Sequence, residues 1–162
     1  MTLMITSQNG IELIKKFEGC KLSAYRDAVG VPTIGYGTTQ GVTMGMTITK
    51  EKAEEFLKRD VKSIESALNK LGKKLKQNQF DALVSWIYNL GLGSFGKSTM
   101  KKKIVENASD IDITDQLIRW VNAGGKPLLG LKKRRVAEAN MFLGRETYYI
   151  STLGKIVKKV NN

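Results

Sequence analysis

Two carboxylates and a hydroxyl lie close together near the start of the chain. Glu18 is followed after eight residues by Asp27, and five further residues lead to Thr33. Two carboxylates with a water between them are the groups that an inverting glycosidase uses as acid and base. Each residue also has an ordinary structural interpretation: Glu18 as a solvated helix end, Asp27 as a turn cap and Thr33 as a strand residue. Spacing alone leaves both interpretations open.

A first helix is predicted to carry Glu18. Apolar residues recur at helical spacing from Ile11 to Phe17, and either Ser7 or Asn9 can cap the start. Gly19 is expected to end the helix, which makes Glu18 its last residue. The negative end of the helix dipole disfavours a carboxylate there and favours the protonated form that a general acid needs.

A β-hairpin is predicted directly after this helix, with strands at 22–27 and 31–36 and a turn at 28–30. Alternation along the second strand places Ile34 and Tyr36 on one face and Thr33 on the other. If the first two pack inward, Thr33 faces a cleft. Gly35 and Gly37 leave that cleft open, so we expect the hairpin and the helix end to flank one space.

The residues around this site resemble the catalytic signature of the phage-type lysozymes, glycoside hydrolase family 24. The matching motifs are Phe17-Glu-Gly, Tyr25-Arg-Asp and Gly30-Val-Pro-Thr-Ile-Gly-Tyr-Gly, with further similarity at 78–91 and 130–138. The resemblance runs from about Ser7 to Arg145 and omits the tail.

The resemblance implies an endolysin: a muramidase that hydrolyses the β-1,4 bond between N-acetylmuramic acid and N-acetylglucosamine, with inversion, for host cell lysis. Glu18, Asp27 and Thr33 would be catalytic, and neither a metal nor a cofactor would be needed. The residues that would bind substrate are Gly35, Gly37, Asn89 and Gly91. For Asn89, a helix C-cap is the structural alternative.

One position departs from the family pattern. Many members carry His after the second glycine of the Ile-Gly-x-Gly run, where this chain has Thr38. That His is regarded as a support for the hairpin lobe, so its absence questions the stability of the lobe more than the chemistry.

Histidine is absent from the 162 residues, which excludes Ser/His/Asp and Cys/His triads and removes the commonest zinc ligand. The single cysteine, Cys20, cannot form an internal disulfide and is expected to be a small packing residue. Acid and base work at neutral pH therefore falls to carboxylates.

The expected architecture is an α+β, lysozyme-like fold in a single domain, 1–162. It has a small hairpin lobe at about 19–48. The larger helical lobe consists of residues 73–145 together with the first helix. A long helix from Lys50 to about Leu71, with an apolar stripe, joins them.

Within the helical lobe, residues 79–90 are apolar around most of a helix and predict a central buried element. Trp86 and Trp120 are expected in the core. Shorter helices are predicted from Ser98 or Thr99 to Val105 and from Asp112 to Val121. The basic run 132–135 is interpreted as the solvated face of a later helix, and a rim that holds anionic peptidoglycan is the alternative. The residues of this helix expected to pack inward are Val136, Ala139, Met141, Phe142 and Leu143.

The tail, 146–162, shows apolar residues at helical spacing with lysines opposite, which predicts an amphipathic basic helix. Packing on the body is favoured, and contact with an anionic membrane is the alternative. The net charge of +12 calls for an anionic partner, for which peptidoglycan, nucleic acid and anionic lipid all qualify. No recognition helix or interleaved aromatics accompany the basic run, so no specific nucleic acid is expected.

The N-terminus lacks the basic start and apolar run of a secretory signal. We therefore expect a monomer that collects in the host cytoplasm until a holin-type membrane pore lets it reach peptidoglycan in the periplasm. Two alternatives remain open: a catalytically inactive peptidoglycan-binding module and a basic protein that permeabilises membranes.

Overall fold

The computed structural model describes residues 2–160. Its elements are α1 (Gln8–Glu18), β1 (Lys21–Arg26), β2 (Pro32–Gly35), α2 (Lys50–Asp60), α3 (Lys62–Lys70), α4 (Gln77–Leu90), α5 (Leu92–Gly96), α6 (Thr99–Val105), α7 (Asp110–Leu117), β3 (Asn122–Ala123), β4 (Lys126–Pro127), α8 (Leu129–Leu143), β5 (Tyr148–Ile150) and β6 (Ile156–Lys158). The strands form three separate antiparallel pairs, β1–β2, β3–β4 and β5–β6.

The first helix and the hairpin have the predicted arrangement. Glu18 is the last residue of α1, and Gly19 follows with φ of 67°, a left-handed backbone that glycine adopts without strain. Strands β1 and β2 pair with Tyr25 opposite Thr33. Ser7 precedes α1, but its hydroxyl donates to Asp81 on α4 and does not cap the helix.

The long helix predicted from Lys50 to Leu71 is two successive helices, α2 and α3. Val61 separates them with ψ of −13°, which tightens the backbone locally toward a 3₁₀ turn. The α-helical hydrogen bonds from the Val61 amide to Leu57 and from Glu65 to Val61 are retained. The two helices therefore still connect the hairpin lobe to the helical lobe.

Helix α4 forms the centre of the core, as its sequence predicts. All residues from Gln79 to Ile87 are buried, and α1 and α8 pack against it. Trp86 is fully buried and meets the rings of Phe95 and Trp120 edge-on. The core prediction was wrong for Trp120, which is 37% exposed because it follows α7 on a surface segment and covers Trp86 from outside.

Smaller boundaries also differ from the prediction. Helix α7 begins at Asp110, where Ser109 accepts a hydrogen bond from the Asp112 amide, and it ends at Leu117. Helix α5 and the β3–β4 pair were not predicted, since each is short and carries no periodic signal.

The predicted tail helix was wrong, because residues 148–158 form the β5–β6 hairpin. The turn between the strands includes Gly154, with φ of 73°, and its amide donates to the Ser151 carbonyl. Tyr148 is only 2% exposed and is anchored to the helical body, whereas Tyr149 is exposed, as expected for alternate residues of a strand. The membrane hypothesis thus loses the amphipathic helix on which it depended.

Within residues 2–160, none of the helices has the length and apolar character needed to span a membrane.

Candidate active site

A cleft of about 610 Å³ lies between the hairpin lobe and the helical lobe. Three predicted site residues line it: Glu18 at the end of α1, Gly37 after β2, and Asn89 near the end of α4. The end of α2 and the start of α3 contribute further residues that the sequence analysis did not select: Arg59, Asp60, Lys62 and Ser63. The structure therefore brings together residues from both lobes around Glu18.

Glu18 is held by an arginine that comes from the far end of the chain. The Nη1 group of Arg134, on α8, donates to Glu18 Oε1 at 2.7 Å. The second oxygen, Oε2, lies beside Gly37, where an added Cβ would be 3.5 Å away. Arg134 therefore holds one carboxyl oxygen of Glu18, and the other oxygen faces the hairpin lobe at Gly37.

Arg134 belongs to a buried chain of charges. Its Nε donates to Glu138 Oε2 at 3.2 Å, and Ser85 donates to the same oxygen at 2.5 Å. Arg135 Nη1 lies 3.0 Å from Glu138 Oε1, and Arg135 Nη2 donates to Asn89. The series Glu18, Arg134, Glu138, Arg135 and Asn89 therefore connects two residues of the cleft wall through the protein interior.

The two arginines and two glutamates of this series balance in formal charge, which a buried network requires. Burial raises the pKa of the Glu138 carboxyl, and the two arginines act against that rise. Burial also lowers the pKa of the Arg135 guanidinium, and Glu138 opposes that change. Removing one member of such a network leaves a buried charge without a partner, at a typical cost of about 3–5 kcal/mol.

The interpretation of 132–135 as a solvated face was wrong for its two arginines. Arg134 is 3% exposed and Arg135 is fully buried. A signal for this was present, because Phe142 was expected to pack inward. Glu138 and Arg134 precede it by four and eight residues, and so share its face of the helix.

The hairpin lobe is tied to the helices by two short hydrogen bonds. The Thr38 hydroxyl donates to Asp60 Oδ2 at 2.6 Å, and the Tyr88 hydroxyl donates to the Tyr36 carbonyl, also at 2.6 Å. Burial, together with the nearby Glu18 carboxylate, raises the pKa of Tyr88, so its hydroxyl stays a donor. Thr38 therefore provides a contact between the lobe and α2 at the position where the family pattern has His.

Asp27 and Thr33 lie outside the residues that line the cleft. Asp27 Oδ1 accepts from the amides of Val29 and Val31, at 2.9 Å each, and thereby closes the hairpin turn. Thr33 is 4% exposed and donates to the Val31 carbonyl at 2.9 Å, so it does not face an open cleft. Both side chains are fixed by the same turn.

The glycines selected from the sequence have different surroundings. Gly37 has φ of 94° and lies against Glu18 and Tyr88, where a side chain would reduce the cleft. Gly35 is buried against Ala53 of α2, with 3.3 Å between an added Cβ and the Ala53 Cβ. Gly91 ends α4 with φ of 91° and does not line the cleft. Asn89 precedes that C-cap and is not the cap itself.

Among residues 2–160, no three Cys, Asp or Glu side chains are arranged to hold a metal ion. The carboxylates of Glu18 and Glu138 are paired with arginines, as described above.

Comparison with known proteins gives consistent results. The family model described as Phage lysozyme matches residues 15–138. The endolysin of Salmonella phage P22 is 40% identical over 148 residues, which cover 87% of this chain and 99% of the relative. The SAR-endolysin of Enterobacteria phage P21 is 35% identical over 145 residues, covering 88% of this chain and 85% of the relative.

Solved structures agree in fold. A single-residue mutant of P22 lysozyme has a TM-score of 0.77 at 40% identity, covering 86% of this chain and 99% of that one. The muramidase domain of SpmX from Asticaccaulis excentricus has a TM-score of 0.80 at 36% identity, covering 85% and 97%.

Proposed function

Because the chain belongs to the phage lysozyme family and is therefore a glycoside hydrolase, we propose that Glu18 and Asp27 hydrolyse the β-1,4 bond between N-acetylmuramic acid and N-acetylglucosamine of peptidoglycan. The observation that carries the proposal is the placement of Glu18 in the cleft between the lobes, with one oxygen held by Arg134. The alternatives of an inactive binding module and a membrane-permeabilising protein are not favoured by the comparisons.

Glu18 acts as the general acid. Arg134 fixes Oε1, and the opposite oxygen beside Gly37 delivers the proton to the leaving glycosidic oxygen. This arrangement restricts the rotation of the carboxyl group before substrate arrives, which lowers the entropic cost of proton transfer.

Asp27 acts as the base that orients and deprotonates a water on the opposite face of the sugar. The two amides of the turn fix its Oδ1, and among the described residues no hydrogen bond takes its Oδ2, which remains for that water. Thr33, which donates to the Val31 carbonyl, supports the turn that positions Asp27. Attack by water from the face opposite the leaving group gives inversion at the anomeric carbon.

Gly37 and Asn89 contribute to the substrate-binding wall. Gly37 keeps the space beside Glu18 open, and Asn89, held by Arg135, presents its amide to the glycan. Gly35 packs against Ala53 of α2, and Gly91 ends α4. In the proposal, both glycines shape the backbone on either side of the cleft.

The enzyme acts on the cell wall as a monomer after release from the host cytoplasm through a membrane pore. The net charge of +12 favours its encounter with the carboxylates of peptidoglycan. Expression in the cytoplasm should leave cells intact until chloroform opens the membrane, and rapid lysis should then follow. Lysis on expression alone would contradict dependence on a pore, and a dimer in sedimentation would contradict the monomer.

The main test compares the wild type with Glu18→Gln on purified peptidoglycan from which outer membrane has been removed. The wild type should clear the suspension and release reducing ends, and the variant should do neither at a temperature where circular dichroism shows that it is folded. Binding without clearing by both proteins would instead support the binding module. Release of dye from anionic vesicles by both would support the membrane-active alternative. Proton NMR of the first product should show the α-anomer if the reaction inverts.

A further inference from the structure

The acid of the proposed mechanism is bound to a cation, which by itself works against its role. The buried guanidinium of Arg134 donates to Glu18 Oε1 at 2.7 Å. A positive charge this close to a carboxyl group favours the ionised form. A general acid must instead keep its proton until the glycosidic oxygen takes it. Another group is therefore needed to offset the charge of Arg134 where it meets Glu18.

Glu138 is placed to provide that offset. Arg134 lies between two carboxyl groups, because its Nε donates to Glu138 Oε2 at 3.2 Å while its Nη1 donates to Glu18. Its Nη2 donates to the Ser85 carbonyl at 3.0 Å, so all three nitrogens of the guanidinium are engaged. The guanidinium is thus fixed in one orientation, and Glu18 and Glu138 share its charge.

The negative charge of Glu138 is required by its surroundings. Glu138 is fully buried, and each of its carboxyl oxygens faces an arginine: Oε2 faces Arg134, and Oε1 lies 3.0 Å from Arg135 Nη1. In the described part of the chain, Glu18 is the one other carboxylate within 4.0 Å of these two guanidinium groups. A neutral Glu138 would leave a buried cation without a partner, which is strongly disfavoured. Glu138 is therefore ionised in the folded protein.

The other titratable groups around Glu18 belong to three elements and do not replace Glu138. Helix α8 adds a second cation, Arg135, which acts on Glu18 through its charge, and α4 adds Tyr88, whose hydroxyl stays protonated. The α2–α3 wall of the cleft holds two cations and one carboxylate that is already in an ion pair with its neighbour: Arg59, Lys62 and Asp60. Without Glu138, Glu18 would face an excess of positive charge.

We propose that Glu138 is a positioning residue of the active site, an inference that rests on the proposed function. Its charge neutralises Arg134, so that Arg134 holds one oxygen of Glu18 by a hydrogen bond without forcing the carboxyl group to ionise. The acid is then both oriented and protonated, two requirements that a lone arginine would set against each other. The Ser85 hydroxyl, which donates to Glu138 at 2.5 Å, and Arg135 keep Glu138 in place.

The pH dependence of peptidoglycan cleavage tests this role. At low substrate concentration the rate reports the free enzyme, and it falls at alkaline pH where the acid loses its proton. Glu138→Gln keeps the shape of the side chain but removes its charge, so the alkaline midpoint should move to lower pH by about one unit. Each protein is assayed at a temperature where circular dichroism shows that it is folded across the pH range. An unchanged midpoint would overturn the proposal.

Two further variants separate the charge of Glu138 from packing and from net charge. Glu138→Asp lowers the melting temperature but restores the charge, so its midpoint should stay near that of the wild type. Glu146→Gln is the matched control, because it removes an equal charge from an exposed residue just after α8. A shift in Glu138→Asp as large as that in Glu138→Gln would assign the effect to packing. An equal shift in Glu146→Gln would assign it to net charge, and either result would overturn the proposal.

A direct titration separates this inference from the proposed function. Carbon-13 NMR of the carboxyl groups, with the Glu18 signal assigned from its loss in Glu18→Gln, follows the protonation of Glu18 without substrate. Glu138→Gln should shift this titration to lower pH by about one unit. If the wild type cleaves peptidoglycan and the titration is unchanged, the inference fails alone. If the titration shifts but the wild type does not cleave, the proposed function fails and the coupling between the two carboxyl groups stands.

Discussion

The β1–β2 hairpin and the β5–β6 hairpin differ in what holds them in place. The first is closed from within, by the Asp27 carboxylate that accepts from two amides of its own turn. The second is held by contacts with the helical body. Asn140 of α8 bonds its backbone, and its own Tyr148 is buried, with the hydroxyl donating to Asp115 of α7 at 2.7 Å. A hairpin with an internal closure can place its turn near a substrate, whereas an externally anchored hairpin adds stability to the body that holds it.

The largest expected effect is on the activity of the first hairpin. Asp27→Asn keeps an oxygen that can accept from both turn amides but removes the negative charge that a base needs. Cleavage of peptidoglycan should fall by about 10²–10⁴-fold, with the melting temperature almost unchanged. Asp112→Asn, at an exposed position on α7, is the control and should retain full activity. Full activity in Asp27→Asn would show that Asp27 serves the turn alone.

The second hairpin should show the opposite pattern. Tyr148→Ala removes a fully buried ring and its hydrogen bonds, so the free energy of unfolding measured with urea should fall by about 3–5 kcal/mol. The folded fraction should still cleave peptidoglycan at the wild-type rate, because Tyr148 does not line the cleft. Tyr149→Ala, next to it but exposed, should change the free energy of unfolding by less than about 0.5 kcal/mol. Equal effects would contradict the anchoring role of Tyr148.

These two hairpins also show how far the sequence could predict the fold. The first has local signals: Gly19 ends the helix, and the turn at 28–30 is followed by alternating residues. In the tail, the apolar positions from Tyr149 to Val160 fit a helical spacing, so the local pattern favours the wrong element. The hairpin is held by Asn140, which lies on α8 seven and eight residues before its partners and satisfies the backbone of β5. The periodicity of the tail does not report this contact.

The site was predictable to a similar degree. Glu18, Asp27 and Thr33 were selected by spacing and resemblance, and Glu18, Gly37 and Asn89 do share the cleft. The burial of Arg134 and Arg135 was missed because a run of four basic residues is usually solvated. The pairing of both arginines with Glu138 could not be predicted from the run itself, because it depends on the burial of the α8 face that contains Phe142.

A smaller effect is expected where the first hairpin contacts α2. Thr38→Val preserves shape but removes the donor to Asp60, which keeps its contact with Arg59. The free energy of unfolding should fall by about 1–2 kcal/mol in urea titration. Thr39→Val, at an exposed neighbouring position, should be close to neutral. No difference between the two variants would mean that Tyr88 and Tyr36 alone secure the lobe.

The last expected effect appears only at alkaline pH and concerns the second hairpin. Burial is the main cause that raises the pKa of Tyr148 from 10.0 to about 12. Below pH 10 the stabilising contribution is fully present. Above it the unfolded chain loses the tyrosine proton first, so stability falls as pH rises toward 12, by up to about 1.4 kcal/mol per pH unit.

Tyr148→Phe should lack this part of the pH dependence, because it has no hydroxyl to ionise. Thermal unfolding of both proteins between pH 9 and 12 measures the difference, and the lysines, which titrate in the same range, contribute equally to both. Parallel curves would show that Tyr148 ionises as freely in the folded protein as in the unfolded chain.

The buried series from Glu18 to Asn89 has a consequence for ionic strength. Electrostatic attraction between the exposed lysines and the wall is screened beyond about 8 Å at physiological ionic strength. The contact between Arg134 and Glu18 is short and its arginine is buried, so dissolved ions barely reach it. Added salt should therefore slow the encounter of enzyme and wall while each bound substrate is still cleaved at an unchanged rate.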